Sequence, residues 1–155
     1  MIMQALQVFS GLVTVNAGEW IVHKYVLHGL GKQKDSMWAF HWREHHRASR
    51  RHDFIDHDYF RSVFNWNAQG KEAIGLVLAG LSVLPLVTTA PWFCGGIWAG
   101  LSLYYYVHKK SHLSPGWAKV WLPWHVQHHM GKDQDANWNV TLPLFDWIMG
   151  TRKKS

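Results

Sequence analysis

The sequence predicts an all-α, integral-membrane protein with about three membrane-inserted helices and a histidine-rich helical cap on the cytoplasmic side. Three observations lead to this prediction: residues 1–22 carry one charged side chain, residues 73–107 carry none, and ten of the twelve histidines form compact clusters beside these segments. All 16 lysines and arginines lie outside the two segments, and short basic flanks of this kind remain in the cytoplasm. We interpret residues 1–155 as a single domain.

The first apolar segment covers residues 1–22, and its one charged side chain is that of Glu19. A helix needs about 20 apolar residues to cross a bilayer, so this segment is long enough for one crossing. A secretory signal is the alternative, because Val15-Asn16-Ala17 loosely resembles a cleavage site. The segment lacks the positive residues with which such signals begin, which argues against that alternative.

The second segment, residues 73–107, is too long for one crossing and fits a hairpin of two short helices. Pro85 and Pro91 lie near its middle, where a turn is needed. Trp92 and Trp98 lie in its second half, and Tyr104 begins a run of three tyrosines near its end, as is typical of membrane interfaces. The alternative is the buried core of a soluble helical protein. The complete absence of charge favours the membrane.

The composition excludes several classes of protein. The chain is 48% apolar and 17% charged, which excludes a disordered chain. Its single cysteine excludes an intramolecular disulfide framework. The net charge of +6 is compatible with nucleic acid or an anionic membrane face. The arginine-rich stretch 43–61 also contains three aspartates, and no nucleic-acid-binding module is recognisable, so we expect no nucleic-acid partner.

Four histidine clusters carry the chemistry of the chain. Each follows an apolar segment or lies in a polar stretch between two of them. The four clusters comprise His23 and His28; His41, His45 and His46; His108 and His112; and His125, His128 and His129. One histidine near a membrane interface is ordinarily a hydrogen-bonded or solvated side chain. Ten in four clusters predict a metal centre, and ten imidazoles are too many for one ion and a sensible set for two.

Helical spacing predicts which of these rings point the same way. Residues three and four apart share a face of an α-helix, so His125, His128 and His129 are expected to project together, and likewise His108 with His112, and His41 with His45. His46 is expected to lie roughly 100° from His45. For His23 and His28, about 140° apart on a straight helix, two interpretations remain. They serve different metals, or Gly29 ends the helix and turns His28 inward.

The ligand set indicates the metal. Structural zinc sites usually include cysteine, and soluble di-iron bundles use four glutamates with two histidines. An all-nitrogen centre for two ions beside membrane helices instead points to iron that activates O2. Neutral imidazoles leave the ionic charge uncompensated, so nearby carboxylates are expected to hydrogen-bond the ligands. Glu19, four residues before His23, is expected to accept the outer N–H of that ring. The other candidates are Glu44, Asp53, Asp56, Asp58 and Asp146, and His52 and His57 are expected to be structural or surface residues.

In the order and spacing of its clusters, H-x4-H, H-x3-HH, H-x3-H and H-x2-HH, the chain resembles the fatty acid hydroxylase/sterol desaturase superfamily of integral-membrane di-iron oxygenases. The ending from Asp146 to Gly150-Thr151 is similar to the C-terminal signature of that superfamily. The resemblance covers His23 to Thr151. It implies a helical membrane fold, two irons held by the ten clustered histidines, and O2-dependent hydroxylation of an unactivated C–H bond in a lipid drawn from the bilayer, of fatty acyl or sterol type.

The chain also departs from the fuller members of the superfamily. It has no fused cytochrome b5 domain, so a separate donor of ferredoxin or cytochrome b5 type, with its reductase, must supply the electrons. Its few crossings suggest that a homo-oligomer completes the lipid-facing channel. The opening motif from His23 to Gly29 also resembles that of bacterial β-carotene hydroxylases. A carotenoid hydroxylase or a lipid desaturase is therefore the alternative, and a non-enzymatic membrane metal-binding protein is a third. The substrate and the carbon attacked are left open by the sequence.

Overall fold

The computed structural model describes residues 1–154, and over that range it is helical with no β-strand, which confirms the all-α prediction. Two π-helices interrupt seven α-helices. The elements are α1 (Ile2–Ile21), π1 (Val22–Leu30), π2 (His41–His46), α2 (Arg47–Arg51), α3 (Ala68–Ser82), α4 (Pro91–Leu113), α5 (Pro115–Trp121), α6 (Pro123–Met130) and α7 (Leu144–Ile148), with 3-10 turns at His57–Phe60 and Leu84–Leu86. The long helix α4 packs against both α1 and α3, and the short elements carry most of the histidines.

The hairpin predicted for residues 73–107 is present. Helix α3 ends at Ser82, the 3-10 turn at Leu84–Leu86 contains Pro85, and Pro91 is the first residue of α4. Proline suits these positions because it has no N–H to satisfy and its φ is already near the helical value. The sequence therefore located the turn correctly.

Helices α1 and α4 pack at very close range through glycine. A Cβ atom placed on Gly96 would lie 2.3 Å from the carbonyl oxygen of Val8, and one on Gly11 would lie 2.5 Å from that of Phe93. These contacts involve backbone atoms, which cannot turn aside as a side chain does. Glycine is therefore required at both positions for the two helices to approach so closely. Their contact fixes the direction in which the end of α1 points.

Helix α1 passes without interruption into the π-helix π1, and π2 passes similarly into α2. In a π-helix the hydrogen bonds join residues five apart, so residues five apart in sequence lie close together on the helix. Sequence-based spacing assumed 3.6 residues per turn throughout. The two π-helices are therefore the main departure of the fold from the prediction, and both carry clustered histidines.

One continuous helix, Ile2–Leu30, is long and apolar enough to cross a membrane, and no other helix in residues 1–154 meets the same criteria of length and composition. A single such helix near the N-terminus is weak evidence, since signal sequences and core helices share these properties. Large apolar side chains are nevertheless exposed on all three long helices, including Phe9, Leu78 and Leu103. The prediction of about three membrane-inserted helices stays a prediction.

The C-terminal segment folds back over the histidines and is held by Asp146. The buried carboxylate of Asp146 accepts hydrogen bonds from the backbone N–H groups of Trp138 and Asn139 and from the hydroxyl of Thr151. Glu19 on α1 holds the same segment by accepting from the N–H groups of Val140 and Thr141. The carbonyl groups of this segment are thereby positioned against the histidine rings.

Candidate metal centre

All ten clustered histidines are buried, and nine of them form two adjacent groups that could hold metal ions. Within each group the nearest ring nitrogens lie within 4.8 Å of one another. Group one consists of His23, His28, His41, His46 and His128, and group two consists of His45, His108, His112 and His129. The tenth ring, that of His125, lies beside group two, with its Nε2 atom 3.2 Å from that of His112. The expectation of ligand sets for two ions rather than one is confirmed at this level.

The π-helices determine which histidines meet. His23 and His28 are five apart in π1 and both enter group one, with ring centroids 5.2 Å apart. Neither interpretation based on an α-helix was right: the two residues do not serve different groups, and the helix does not end at Gly29. In π2, His41 joins His46 in group one, and His45 enters group two. The rings of His41 and His45 lie 5.2 Å apart between centroids, as expected for residues on one face, but the two residues belong to different groups, because in a π-helix His41 also meets the fifth residue after it, His46.

The pair His128 and His129 divides between the groups in the same way as His45 and His46. Consecutive residues of α6 point about 100° apart, so His128 enters group one and His129 enters group two. The two groups consequently share two helical segments and lie side by side. The stacked rings of His46 and His129, with centroids 4.1 Å apart, form the contact between them.

Seven of the ten rings present an Nδ1 atom to an oxygen acceptor. Since a carbonyl or a carboxylate can only accept, each of these Nδ1 atoms carries the hydrogen and each Nε2 atom is left with a lone pair. The pairs and their separations are His23 with the Trp138 carbonyl (2.5 Å), His28 with Asp135 (3.2 Å), His46 with the Gln134 side chain (2.9 Å), His128 with the Ala136 carbonyl (2.7 Å), His45 with Asp56 (2.7 Å), His108 with Glu72 (2.6 Å) and His112 with the Phe54 carbonyl (2.9 Å).

The Nε2 atoms face one another. In group one, the Nε2 atom of His46 lies 3.1 Å from that of His28 and 3.1 Å from that of His128. Two imidazole nitrogens bound about 2.1 Å from a shared ion would lie roughly 3 Å apart. In group two, the Nε2 atoms of His45 and His108 are buried and have no hydrogen-bond partner among the described residues. Both groups thus have the unpaired, convergent nitrogens that a cation requires.

Burial disfavours the protonated form of histidines in both groups. Removal from water holds the pKa of His41, His46 and His129 well below the usual value for histidine, and the positive charge that neighbouring imidazoles would carry lowers each pKa further. A neutral imidazole is the form that binds a metal, because the lone pair is then free. The site is therefore set for metal binding at neutral pH.

Of the predicted carboxylates, Asp56 alone contacts a clustered histidine. It is buried, and the hydrogen bond from His45 holds the pKa of the Asp56 carboxyl below its usual value although burial alone would raise it. Glu19 does not accept from His23, because the Trp138 carbonyl takes that hydrogen and Glu19 holds the C-terminal segment instead. Asp146 acts indirectly, through the same segment.

The remaining predicted carboxylates lie away from the rings. Glu44 pairs with Lys71 at 2.8 Å, Asp53 is exposed, and Asp58 accepts from the N–H of Ala68 at the start of α3. As expected, His52 and His57 are exposed and outside both groups; they pack against each other.

Several partners of the rings were not found from the sequence. Glu72 lies at the edge of the uncharged segment, and Asp135 and Gln134 lie outside every cluster. A carboxylate directly before a long uncharged run was the one usable signal for Glu72. Backbone carbonyl groups, such as that of Trp138, leave no signal in a sequence.

A largely apolar cavity of about 510 Å3 lies between α1, α3 and α4 and reaches both histidine groups. Its inner end is formed by His23, His41 and His45, together with Tyr59. Its wall on α3 runs from Ala68 to Ser82 on one helical face, which corresponds to about 21 Å at 1.5 Å per residue. The cavity is therefore long and largely apolar, and imidazoles from both groups are part of its lining.

Comparison with family models, with curated proteins and with solved structures finds no match to this chain. The function is therefore argued from the geometry of the histidine groups and the cavity.

Proposed function

We propose that the protein is an integral-membrane di-iron oxygenase that hydroxylates an unactivated C–H bond of a fatty acyl or sterol-type lipid. One observation carries the proposal: convergent imidazoles form two adjacent buried groups, and members of both groups line a long, largely apolar cavity. A metal-storage site has no need for such a cavity. A soluble enzyme has no need for apolar side chains exposed on every long helix.

The donor set fits two iron ions. Imidazole is a common ligand of iron, and the outer hydrogen bonds to Asp56 and Glu72 supply negative charge that neutral rings lack. Bound iron would supply the activation of O2 that allows one oxygen atom to enter a C–H bond. The ligands of the two ions would be the residues of group one and group two, with His125 adjoining group two.

The cavity would hold the alkyl part of the substrate. Such a chain offers no acidic or basic group, so position alone decides which carbon is attacked. Val22, Val26 and Leu76 line the path to the histidines. At the inner end, Tyr59 is buried and its hydroxyl donates a hydrogen bond to Glu72, so this hydroxyl is not free to retain water. Exclusion of water protects a reactive centre from side reactions.

Exposed apolar side chains support insertion in a membrane. Phe9 on α1, Leu78 on α3 and Leu103 on α4 are each at least half exposed. No lysine or arginine lies in residues 1–22 or 73–107, which contain most of these helices. We propose that the three long helices enter the bilayer and that the histidine groups lie on the cytoplasmic side. A lipid could then enter the cavity without passing through water.

The test begins with elemental analysis of protein purified anaerobically in detergent. Two irons per chain are expected. The iron-loaded protein, supplied with a reductant, membrane lipids and 18O2, is then expected to yield lipid bearing one 18O atom, detected by mass spectrometry. Well-folded protein without bound metal would contradict the proposal, and so would lipid products without 18O. A dehydrogenated product instead of an alcohol would indicate the desaturase alternative, and a hydroxylated carotenoid would indicate the carotenoid hydroxylase.

A further inference from the structure

A second concave surface lies next to the metal centre and shares no lining residue with the apolar cavity. This arginine cleft has a volume of about 400 Å3 and is lined by Trp42, Arg43, His46, Arg47, Arg50, Arg51 and Gln134. Its residues come almost entirely from π2 and α2. Because His46 lines the cleft while His41 lines the apolar cavity, group one lies between the two openings.

The cleft carries uncompensated positive charge. Arg43, Arg47 and Arg51 are exposed, and none has a carboxylate within 4.0 Å in residues 1–154. Two acidic residues that adjoin lining residues of the cleft in sequence are already paired, Glu44 with Lys71 and Asp135 with Lys32. Arg50 has a structural task, since it donates to the carbonyl groups of His129 and Gly131. Four guanidinium groups on one small surface repel one another, and an anionic partner relieves that repulsion.

The floor of the cleft is in aromatic contact with group one. The ring of Trp42 lies 5.1 Å from that of His46 and 5.0 Å from that of His28, measured between centroids. A partner seated on the arginines would thus lie next to His46, a member of group one that lines the cleft, and within one side chain of His28. The apolar cavity, by contrast, reaches the centre from the side of the long helices.

Resting on the proposed function, we propose that the arginine cleft is the docking surface for an acidic one-electron carrier protein. Hydroxylation with O2 places one oxygen atom in the substrate and releases the other as water, which consumes two electrons and two protons. A one-electron carrier must therefore dock twice in each turnover and leave in between. Exposed charges suit such brief encounters, because they accelerate association more than they strengthen the complex.

The position of the cleft favours a protein over a lipid headgroup as its occupant. Many of the exposed apolar residues lie on α1, α3 and α4, and others lie in loops and on short helices, whereas none of them lines the cleft, whose arginines lie on π2 and α2. A surface whose floor is His46 and Trp42 gives access to the metal ligands, which a lipid phosphate does not require.

The experiment measures the affinity of an acidic plant-type [2Fe–2S] ferredoxin for the full chain in phosphatidylcholine nanodiscs. Arg47→Glu is expected to weaken binding on the order of tenfold at low salt, and high salt is expected to weaken wild-type binding in the same direction. Lys119→Glu, which makes the same change of charge on α5, is expected to bind as the wild type does. Both substituted side chains are exposed, so neither change is expected to disturb folding.

Equal affinities of wild type and Arg47→Glu would overturn the docking proposal, and so would an equal loss in Lys119→Glu. Loss of short-chain phosphatidylserine binding in Arg47→Glu, with ferredoxin affinity unchanged, would assign the cleft to anionic lipid instead. The affinity is measured without regard to metal content. A failure of docking is thereby distinguished from a failure of the oxygenase proposal, which is decided by bound iron.

Discussion

The Nε2 atoms of His28 and His46 lie 3.1 Å apart, although both rings have already given their Nδ1 hydrogens to Asp135 and Gln134. Neither Nε2 atom then has a hydrogen to place between them, so two lone pairs face each other. A cation between the rings converts this repulsion into two ligand bonds. We therefore expect bound metal to stabilise the folded protein, in addition to its part in the reaction.

The two groups predict separable metal sites. His129 is one of four nitrogen donors in group two and does not belong to group one. We expect His129→Ala to lower the iron content from two toward about one ion per chain, because group two loses one of its four ligand bonds while group one keeps all of its donors. Elemental analysis measures this directly. His52→Ala, at an exposed histidine outside both groups, is the control and should retain both ions.

The carboxylate of Asp56 is expected to strengthen metal binding through His45. Loss of such an outer hydrogen bond typically weakens metal affinity by about 10–100-fold. Asp56→Asn is therefore expected to lose metal at chelator concentrations that the wild type withstands. Asp53→Asn makes the same change at an exposed residue three positions away, and asparagine tolerates its positive φ of 51°. Equal retention of metal by the two variants would contradict the role given to Asp56.

The apolar cavity predicts a binding site that can be blocked from α3. Ala79 lines the cavity, whereas Val77 is 60% exposed on another face of the helix. Ala79→Phe is expected to weaken binding of a fluorescent long-chain fatty acid by about tenfold or more, because the added ring occupies the space for the chain. Val77→Phe adds a larger apolar side chain to the same helix without entering the cavity. Unchanged binding in Ala79→Phe would show that the chain binds elsewhere.

Close packing of α1 against α4 predicts a sharp difference between adjacent glycines. At Gly96 a Cβ atom would lie 2.3 Å from a backbone oxygen of α1, while at Gly95 nothing lies within 4 Å. Gly96→Ala is expected to cost about 1–3 kcal/mol of stability through overpacking. Gly95→Ala is expected to be neutral or slightly stabilising, since alanine favours a helix. Thermal unfolding in detergent compares the two, and similar melting temperatures would contradict the close approach.

Buried neutral histidines predict that acid destabilises the metal-free protein. Burial holds the pKa of His41, His125 and His129 well below 6.5, the ordinary value that they regain on unfolding. Below that pH the unfolded chain binds protons that the folded chain does not. The free energy of unfolding therefore falls as the pH decreases below about 6.5 and changes little above it. Chemical unfolding of metal-free protein across this range tests the sign, and constant stability would contradict it.

Sequence patterns were sufficient for the helical class, the turn between Pro85 and Pro91, and the gathering of ten histidines. They failed on the assignment of rings to groups, because that assignment depends on the winding of the backbone. His28 illustrates the reason. The direction of its side chain differs by a large angle between an α-helix and a π-helix, and no residue type in π1 indicates which of the two forms. Glu72 was missed because its partner, His108, is 36 residues away in the chain and meets it only through the hairpin.

The two π-helices make the metal centre sensitive to the number of residues between its ligands and tolerant of the identity of those residues. Lys24 and Tyr25 lie between the two ligands of π1, outside both histidine groups, so replacing either keeps the ligands in phase. Removing one of them would leave His23 and His28 only four residues apart and turn every later residue of that segment around the helix axis. In this part of the chain the spacing of the ligands matters more than the residues between them. We therefore expect single-residue deletions to disrupt the metal centre where substitutions at the same positions do not.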